Sequence, residues 1–351
     1  MKHPDDTALK GHVPLTVAFE VDYAEFLDEA LVECFELHES FSKPQREWWV
    51  LKPGMSDQGQ GIRLFSSEDE LRAIFEEWEG AEGVDDEDAD EDNDNADEEA
   101  EDTVTPASGT ETPVLINNIE RIGAGTMTSQ LRHFIAQRYI DSPLLVPEHG
   151  NRKFHIRTYV LAVGALRVYV YRDMLALFAP QAYKSPGPGG LEPEVHLTNT
   201  CLHSGTPISG SVHRFWDLPS TSSSLPTSGH PASDWKSTAF TQLCRATGTL
   251  FEAAAREQMV HFQTLGNAFE VFGLDWMVDA GGWVWLLEVN AFPDFRQSGE
   301  GLRGLVGGFW EGVVSEAVET FFGVGGDERR ESDREGGNGM VKVLDVDLGR
   351  R

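Results

Sequence analysis

Glu270-Val271-Phe272-Gly273-Leu274-Asp275-Trp276-Met277-Val278, then Asp279-Ala280-Gly281-Gly282, then Trp283-Val284-Trp285-Leu286-Leu287-Glu288-Val289-Asn290 is the stretch that decides the fold of this chain. Two runs rich in β-branched and aromatic residues flank a glycine-rich turn, which predicts an antiparallel hairpin. Pairing Val278 with Trp283 puts Asp275, Glu288 and Asn290 on one face, with Glu288 diagonal to Asp275. The rest of that face is Val271, Gly273, Met277, Val284 and Leu286. Acidic groups on an apolar face are costly unless something neutralises them. Three converging oxygen donors suit Mg²⁺, and a solvated hairpin rim is the other reading this pattern alone allows.

Working outward, residues 154–172 predict a second hairpin turning at Gly164-Ala165. A two-residue loop pairs Val163 with Leu166 and sets Arg157 opposite Arg172, with Lys153 and His155 on the same face. Two adjacent guanidinium groups repel unless an anion sits between them, and phosphate fits their planar fork. Pairing of each arginine with a nearby carboxylate is the alternative. Further upstream, Trp48-Trp49-Val50-Leu51-Lys52 predicts a short buried strand running into a loop punctuated by Gly54, Gly59 and Gly61. Those glycines would let backbone N–H groups approach phosphates, with Lys52 as a point charge. The loop matches neither the dinucleotide nor the Walker pattern, so taken alone it reads first as an ordinary surface turn.

Helices are expected over residues 22–38, 67–79, 247–265 and 308–323, and strands also over 133–140. Residues 184–195 and 204–237 are rich in Pro, Gly and Ser and predict loops. No Lys or Arg occurs between Arg72 and Arg121, and residues 80–112 predict a disordered acidic insertion. The net charge of −31 includes 14 acidic residues from Glu82 to Asp102. Such a balance disfavours direct nucleic-acid binding. No stretch reaches the roughly 18 apolar residues of a membrane span, and the N-terminus has no apolar signal region. Cys34, Cys201 and Cys244 form no metal-ligand or disulfide pattern. Together these features predict a soluble protein of a reducing, intracellular compartment.

Several stretches, in this order, resemble the tubulin–tyrosine ligase-like family of the ATP-grasp superfamily. They are Trp49-Val50-Leu51-Lys52-Pro53 with Gly59-Gln60-Gly61-Ile62, Ala136-Gln137-Arg138-Tyr139-Ile140, Arg152-Lys153-Phe154-His155-Ile156-Arg157, Tyr171-Arg172, His196-Leu197-Thr198-Asn199 and the hairpin 272–290. The ending Phe292-Pro293-Asp294-Phe295-Arg296-Gln297-Ser298-Gly299 is similar to fungal, processing-body-associated members.

The resemblance implies an α+β ATP-grasp fold, two lobes with antiparallel sheets gripping ATP. It divides the chain into an N-terminal helical remnant (1–44), a central lobe (45–141), a catalytic lobe (142–323) and a flexible tail (324–351). It implies that Lys52 contacts the α- and β-phosphates, with Gly59 and Gly61 in the phosphate loop. Gln137, Tyr139 and Ile140 would hold adenine. Lys153, Arg157 and Arg172 would face the γ-phosphate and the substrate carboxylate, and Thr198 and Asn199 would line the acceptor end. Asp275, Glu288 and Asn290 would carry Mg²⁺. The implied reaction joins an amino acid to a protein carboxylate, with the tubulin tail as the family's acceptor, in the cytoplasm or its processing bodies. Two departures stand out. The family commonly has Lys or Arg where this chain has Gln60, and Asp where it has His155. They leave open a second reading, an ATP-binding interaction module with weak catalysis, and a third, a ligase of small-molecule carboxylates.

Overall fold

The structure, a computed structural model, describes residues 9–54, 61–82, 132–187, 192–198, 210–220, 234–293, 295, 302–323 and 338–349. Gly59, Gln60, Asn199, Cys201 and the acidic insertion apart from its first residues lie outside them. The chain divides into two compact units, Val17–Gln137 and a larger one formed by the N-terminal segment to Thr16 with Arg138 onward.

The smaller unit holds β1 (Thr16–Glu20), the short helices α1 (Leu27–Leu31) and α2 (Phe35–Phe41), β2 (Trp49–Pro53), β3 (Arg63–Phe65), α3 (Glu68–Glu82) and β4 (His133–Arg138). Its four strands form a sheet of order β1-β4-β2-β3. Helix α3 places Leu71, Ile74, Phe75 and Trp78 at helical spacing against Phe134 and Trp49. Ser67 caps its first turn by accepting from the Glu70 amide at 3.2 Å, and Glu70 accepts from the Ser66 amide at 2.7 Å.

The single helix expected over 22–38 is broken. A 3₁₀ turn (Ala24–Phe26) leads into α1, and Cys34, at φ −92° and ψ 62°, interrupts the path before α2. That break turns Leu27, Leu31, Cys34 and Leu37 inward, while Phe35 is 74% exposed. The N-terminal stretch is also more than a helical remnant, since β1 is a strand of the small sheet. Residues before it join the larger unit, where the His12 ring stacks on Trp283 at 4.5 Å and its Nδ1 meets the Val284 carbonyl at 2.7 Å.

The larger unit adds β5 (Arg152–Val163), β6 (Arg167–Tyr171), β7 (Leu175–Ala182), β8 (Val212–Arg214), α4 (Trp235–Glu257), β9 (Phe269–Val278), β10 (Val284–Asn290), α5 (Arg303–Val313) and β11 (Met340–Asp345). Its sheet runs β10-β9-β5-β6-β11, with β7 beside β5 and β8 beside β7. Strand β5 organises the unit. Its even-numbered residues Phe154, Ile156, Val160 and Ala162 join the core that α4 covers. Its odd-numbered Tyr159, Leu161 and Val163 pack with Leu305, Phe309 and Val313 of α5. Helix α5 covers that odd face only toward one end of the strand, and Lys153, His155 and Arg157 occupy the other end.

Helix α4 begins at Trp235, within the last three residues of the expected loop and well before the expected helix start at 247. Its hydroxyls explain why the sequence hides it. Thr241, Thr247 and Thr249 donate to the carbonyls four residues back, and the Asp234 side chain accepts from the Lys236 amide. The tail expected to be flexible contains β11, which pairs with β6 and buries Met340 against Gly312. Val341 and Val343 pack on the α4 core.

Candidate active site

Both hairpin registers differ from the expected ones. The turn after β5 has three residues, so Val163 pairs with Arg167 and Val160 with Val170. Gly164 occupies the left-handed region there, at φ +63°. This one-residue shift removes Arg172 from the position opposite Arg157. Arg172 instead stacks on Trp216 at 4.6 Å and on Phe240 of α4 at 5.3 Å, away from the odd face. With Asp173, Met174, Arg214, Asp217 and Leu305, Arg172 and Trp216 line a separate cavity of about 430 Å³.

In the hairpin of β9 and β10 two one-residue deviations add to a shift of two, which keeps the expected face. Val284, not Trp283, pairs with Val278, and a bulge at Leu287 then sets Glu288 directly opposite Asp275 and Asn290 opposite Gly273. Asp275, Glu288 and Asn290 therefore share a face as expected, with Glu288 facing Asp275 squarely rather than diagonally, whereas Val284 and Leu286, expected on that face, pair with Val278 and Trp276 and lie with them in the core on the other side.

Strand β9 lies beside β5 with Asp275 opposite Arg157. The Arg157 guanidinium donates to both carboxylate oxygens, Nε to Oδ1 at 2.5 Å and Nη2 to Oδ2 at 2.9 Å. Both side chains are under 10% exposed. Burial works against the guanidinium's charge, but Asp275, with a smaller contribution from Glu288, outweighs it and holds Arg157 charged. Gly273 makes this geometry possible. A Cβ there would lie 2.9 Å from the Pro293 Cβ and 3.4 Å from the Arg157 Cδ. Nothing in the sequence singled out Gly273 beyond its place in a strand, which is itself a sign of close approach.

His155 sits beside this pair, fully buried. Its Nδ1 is 2.6 Å from the Thr198 hydroxyl and its Nε2 is 3.5 Å from Asp275 Oδ1. Burial, then the positive Arg157, pushes its pKa down to about 3, so the ring is neutral. Lys153 lies over the Tyr139 ring, 4.2 Å from its centroid, and donates to the phenol oxygen at 3.1 Å. The same phenol meets His196 Nδ1 at 2.9 Å. Burial, followed by Lys153, lowers His196 to about 4, while burial pushes the Tyr139 phenol upward. The reading of the sequence gave Tyr139 a place beside adenine and gave His196 none. The buried pair they form around Lys153 links residues too distant in sequence to be recognised there.

In the smaller unit Lys52 donates to Gln137 Oε1 at 2.9 Å, as neighbouring β2 and β4 allow. Gly61 lies in the left-handed region at φ +69°. Ile140 is half-buried in the larger unit, just past β4.

The chemistry of the donor set fits Mg²⁺. Asp275, Glu288 and Asn290 offer only oxygen ligands on one face, and Asn290 donates its Nδ2 to Glu288 Oε1 at 3.1 Å. Each Asp275 oxygen retains a lone pair after Arg157 has bonded to it.

A profile of the tubulin-tyrosine ligase family matches residues 5–322. The chain belongs to that family. It is 38% identical over 330 residues to a probable tubulin–tyrosine ligase of Schizosaccharomyces pombe, covering 92% of this chain and 72% of the relative. It is 37% identical to the probable tubulin–tyrosine ligase PBY1 of Saccharomyces cerevisiae, covering 98% of this chain and 42% of that protein. The fold is that of the ATP-grasp enzymes. The C-terminal domain of K. lactis Pby1, an ATP-grasp enzyme interacting with the mRNA decapping enzyme Dcp2, superposes with a TM-score of 0.58 at 33% identity, covering 97% of this chain and 73% of that one. Among the described residues no helix is long and apolar enough to cross a membrane.

Proposed function

We propose that this tubulin-tyrosine ligase family member is an ATP- and Mg²⁺-dependent carboxylate–amine ligase. It adds an amino acid, tyrosine-like or glutamate-like, to a protein carboxylate, with an acidic tail such as tubulin's as the acceptor. The observation that carries this reading is the buried Arg157–Asp275 pair, held at the end of β5 opposite to the one that α5 packs on, with Lys153 on the same strand face and Glu288 opposite Asp275.

The acceptor carboxylate attacks the γ-phosphate, giving an acyl phosphate and ADP, and the amine of the amino acid then displaces phosphate to form an amide. Both steps build negative charge on oxygen. Arg157, locked flat by Asp275, and Lys153, oriented by Tyr139, are preorganised cations for that charge. Mg²⁺ held by Asp275, Glu288 and Asn290 would neutralise phosphate oxygens. By the family resemblance, Lys52, Gly59 and Gly61 would contact the phosphates, Gln137, Tyr139 and Ile140 would hold adenine, and Thr198 and Asn199 would line the acceptor end. Arg172 stands outside this catalytic set because its guanidinium is stacked on Trp216 and Phe240. Mass spectrometry of acidic-tail peptides incubated with ATP, Mg²⁺ and each amino acid tests the reading. One residue gained per peptide with wild type, and none with Glu288→Gln, is expected. Equal behaviour of the two proteins contradicts it.

A second reading rests on His155, a neutral buried imidazole in a position where the family commonly carries an acid. In this reading the chain binds ATP, turns it over weakly and acts in the cytoplasm as an interaction module of RNA-processing bodies. Its relative from K. lactis, which interacts with Dcp2, supports that alternative. Robust amino-acid transfer to tail peptides contradicts it.

A further inference from the structure

We infer that the cavity beside Arg172 and Arg214 binds a free α-amino acid with an aromatic or aliphatic side chain. The two guanidinium groups take its carboxylate, and Asp173 or Asp217 takes its ammonium. That this amino acid is the one transferred rests on the ligase reading, and its binding does not.

Sheet register locates the site. Leu175 of β7 pairs with Arg157 of β5 on one side and with Arg214 of β8 on the other. Asp275 lies opposite Arg157 in turn, and Glu288 opposite Asp275. Arg214, Leu175, Arg157, Asp275 and Glu288 therefore form one row across five strands, and directly paired residues present their side chains on the same face. Two strand spacings, about 10 Å, separate Arg214 from Arg157. The Arg214 guanidinium lies against the first turn of α5, with Nη2 4.0 Å from the place a Gly304 Cβ would take. A ligand on Arg214 is thus one small molecule's length from the buried Arg157–Asp275 pair.

The charges of the cavity wall are uncommitted. Among the described residues none of Arg172, Asp173, Arg214 and Asp217 forms a side-chain ion pair. Stacking on Trp216 and Phe240 occupies the faces of the Arg172 guanidinium, and its N–H groups point outward in its plane, where a carboxylate can accept from them. Two cations and two carboxylates balance, which suits a zwitterion and opposes a polyanion such as an acidic tail. Met174, Trp216 and Leu305 supply the apolar part of the wall, and the volume of about 430 Å³ is that of a small-molecule pocket. An acidic ligand side chain would meet Asp173 and Asp217, so the wall selects tyrosine or leucine over glutamate.

Titration calorimetry of the full chain tests the site without any transfer. The probes are L-tyrosine, L-leucine and L-glutamate, with tyramine, which lacks the carboxylate, and the desamino analogue of tyrosine, which lacks the ammonium, each with and without Mg-ADP. Tyrosine or leucine should bind, and glutamate and both truncated analogues should bind about tenfold or more weakly, the loss of one charge-assisted pairing. Arg214→Gln should weaken the preferred amino acid about tenfold or more without a matching loss of ADP affinity, which separates a binding residue from a damaged fold. Asp173→Asn combined with Asp217→Asn should narrow the lead over glutamate. Failure of both tyrosine and leucine to bind, a preference for glutamate, equal binding of tyramine, or unchanged affinity in Arg214→Gln overturns the inference. Binding that depends on Arg214, without transfer to any tail peptide, would contradict the ligase reading alone and leave the site standing.

Discussion

Arg157 and Arg172 lie on neighbouring stretches of one sheet and live in opposite environments. Arg157 is buried, bonded at two points to a buried carboxylate, and backed by a glycine that leaves room for its side chain. Arg172 is exposed and stacks on two aromatic rings. The first arrangement fixes a charge and its direction, which charge stabilisation during catalysis requires. The second leaves the side chain stacked on rings and open to solvent.

The comparison breaks most sharply with Arg157→Ala. Removing the guanidinium strands the Asp275 carboxylate in the interior, and a loss of about 3–5 kcal/mol is expected. The denaturation midpoint of the larger unit measures it, and an Asp275→Asn partner change in the same background should recover part of the loss. Gly273→Ala comes next. Its added methyl presses on Pro293 and the Arg157 stem, at a cost of about 1–3 kcal/mol in the same assay.

A smaller effect is the pH dependence. His155 and His196 are held well below the ordinary histidine value, at about 3 and about 4, so the unfolded chain binds protons that the folded chain refuses. Their contribution is complete above about pH 6.5 and is lost as pH falls toward those values, at no more than about 1.4 kcal/mol per pH unit for each. Denaturation at pH 4.5, 5.5 and 6.5 should show stability falling with acid, and a shallower fall in His155→Gln. The smallest change is Arg172→Ala, which gives up cation–π contacts on an exposed side chain and should cost about 0.5–1 kcal/mol. A loss as large as that of Arg157→Ala would erase the contrast between the two arginines.

Alternation along β5, β9 and β10 was legible in the sequence, because period-two patterns survive small errors of pairing. It gave the face shared by Lys153, His155 and Arg157 and the face shared by Asp275, Glu288 and Asn290. Register was not legible. A third turn residue after Val163 moved Arg172, while the same kind of error beyond Val278 was joined by a second at the Leu287 bulge, and the resulting two-residue shift returned Glu288 and Asn290 to the expected face. Neither a turn length nor a bulge leaves a mark in hydrophobic pattern. The polar run after Phe322 likewise hid β11, whose short apolar stretch is ordered by partners distant in sequence, β6 and α4. The ordered family motifs carried the assignment of ATP further than geometry alone, since the roles of Lys52 and Glu288 depend on a ligand's chemistry as well as on the fold.

Titration calorimetry of ADP into wild type and Glu288→Gln, each with Mg²⁺ and with EDTA, tests the central claim most directly. Wild type should bind ADP with Mg²⁺ and lose about tenfold or more in affinity with EDTA, and Glu288→Gln should show the weaker binding under both conditions. Absence of ADP binding by the folded wild type, or equal affinity in all four experiments, would contradict it.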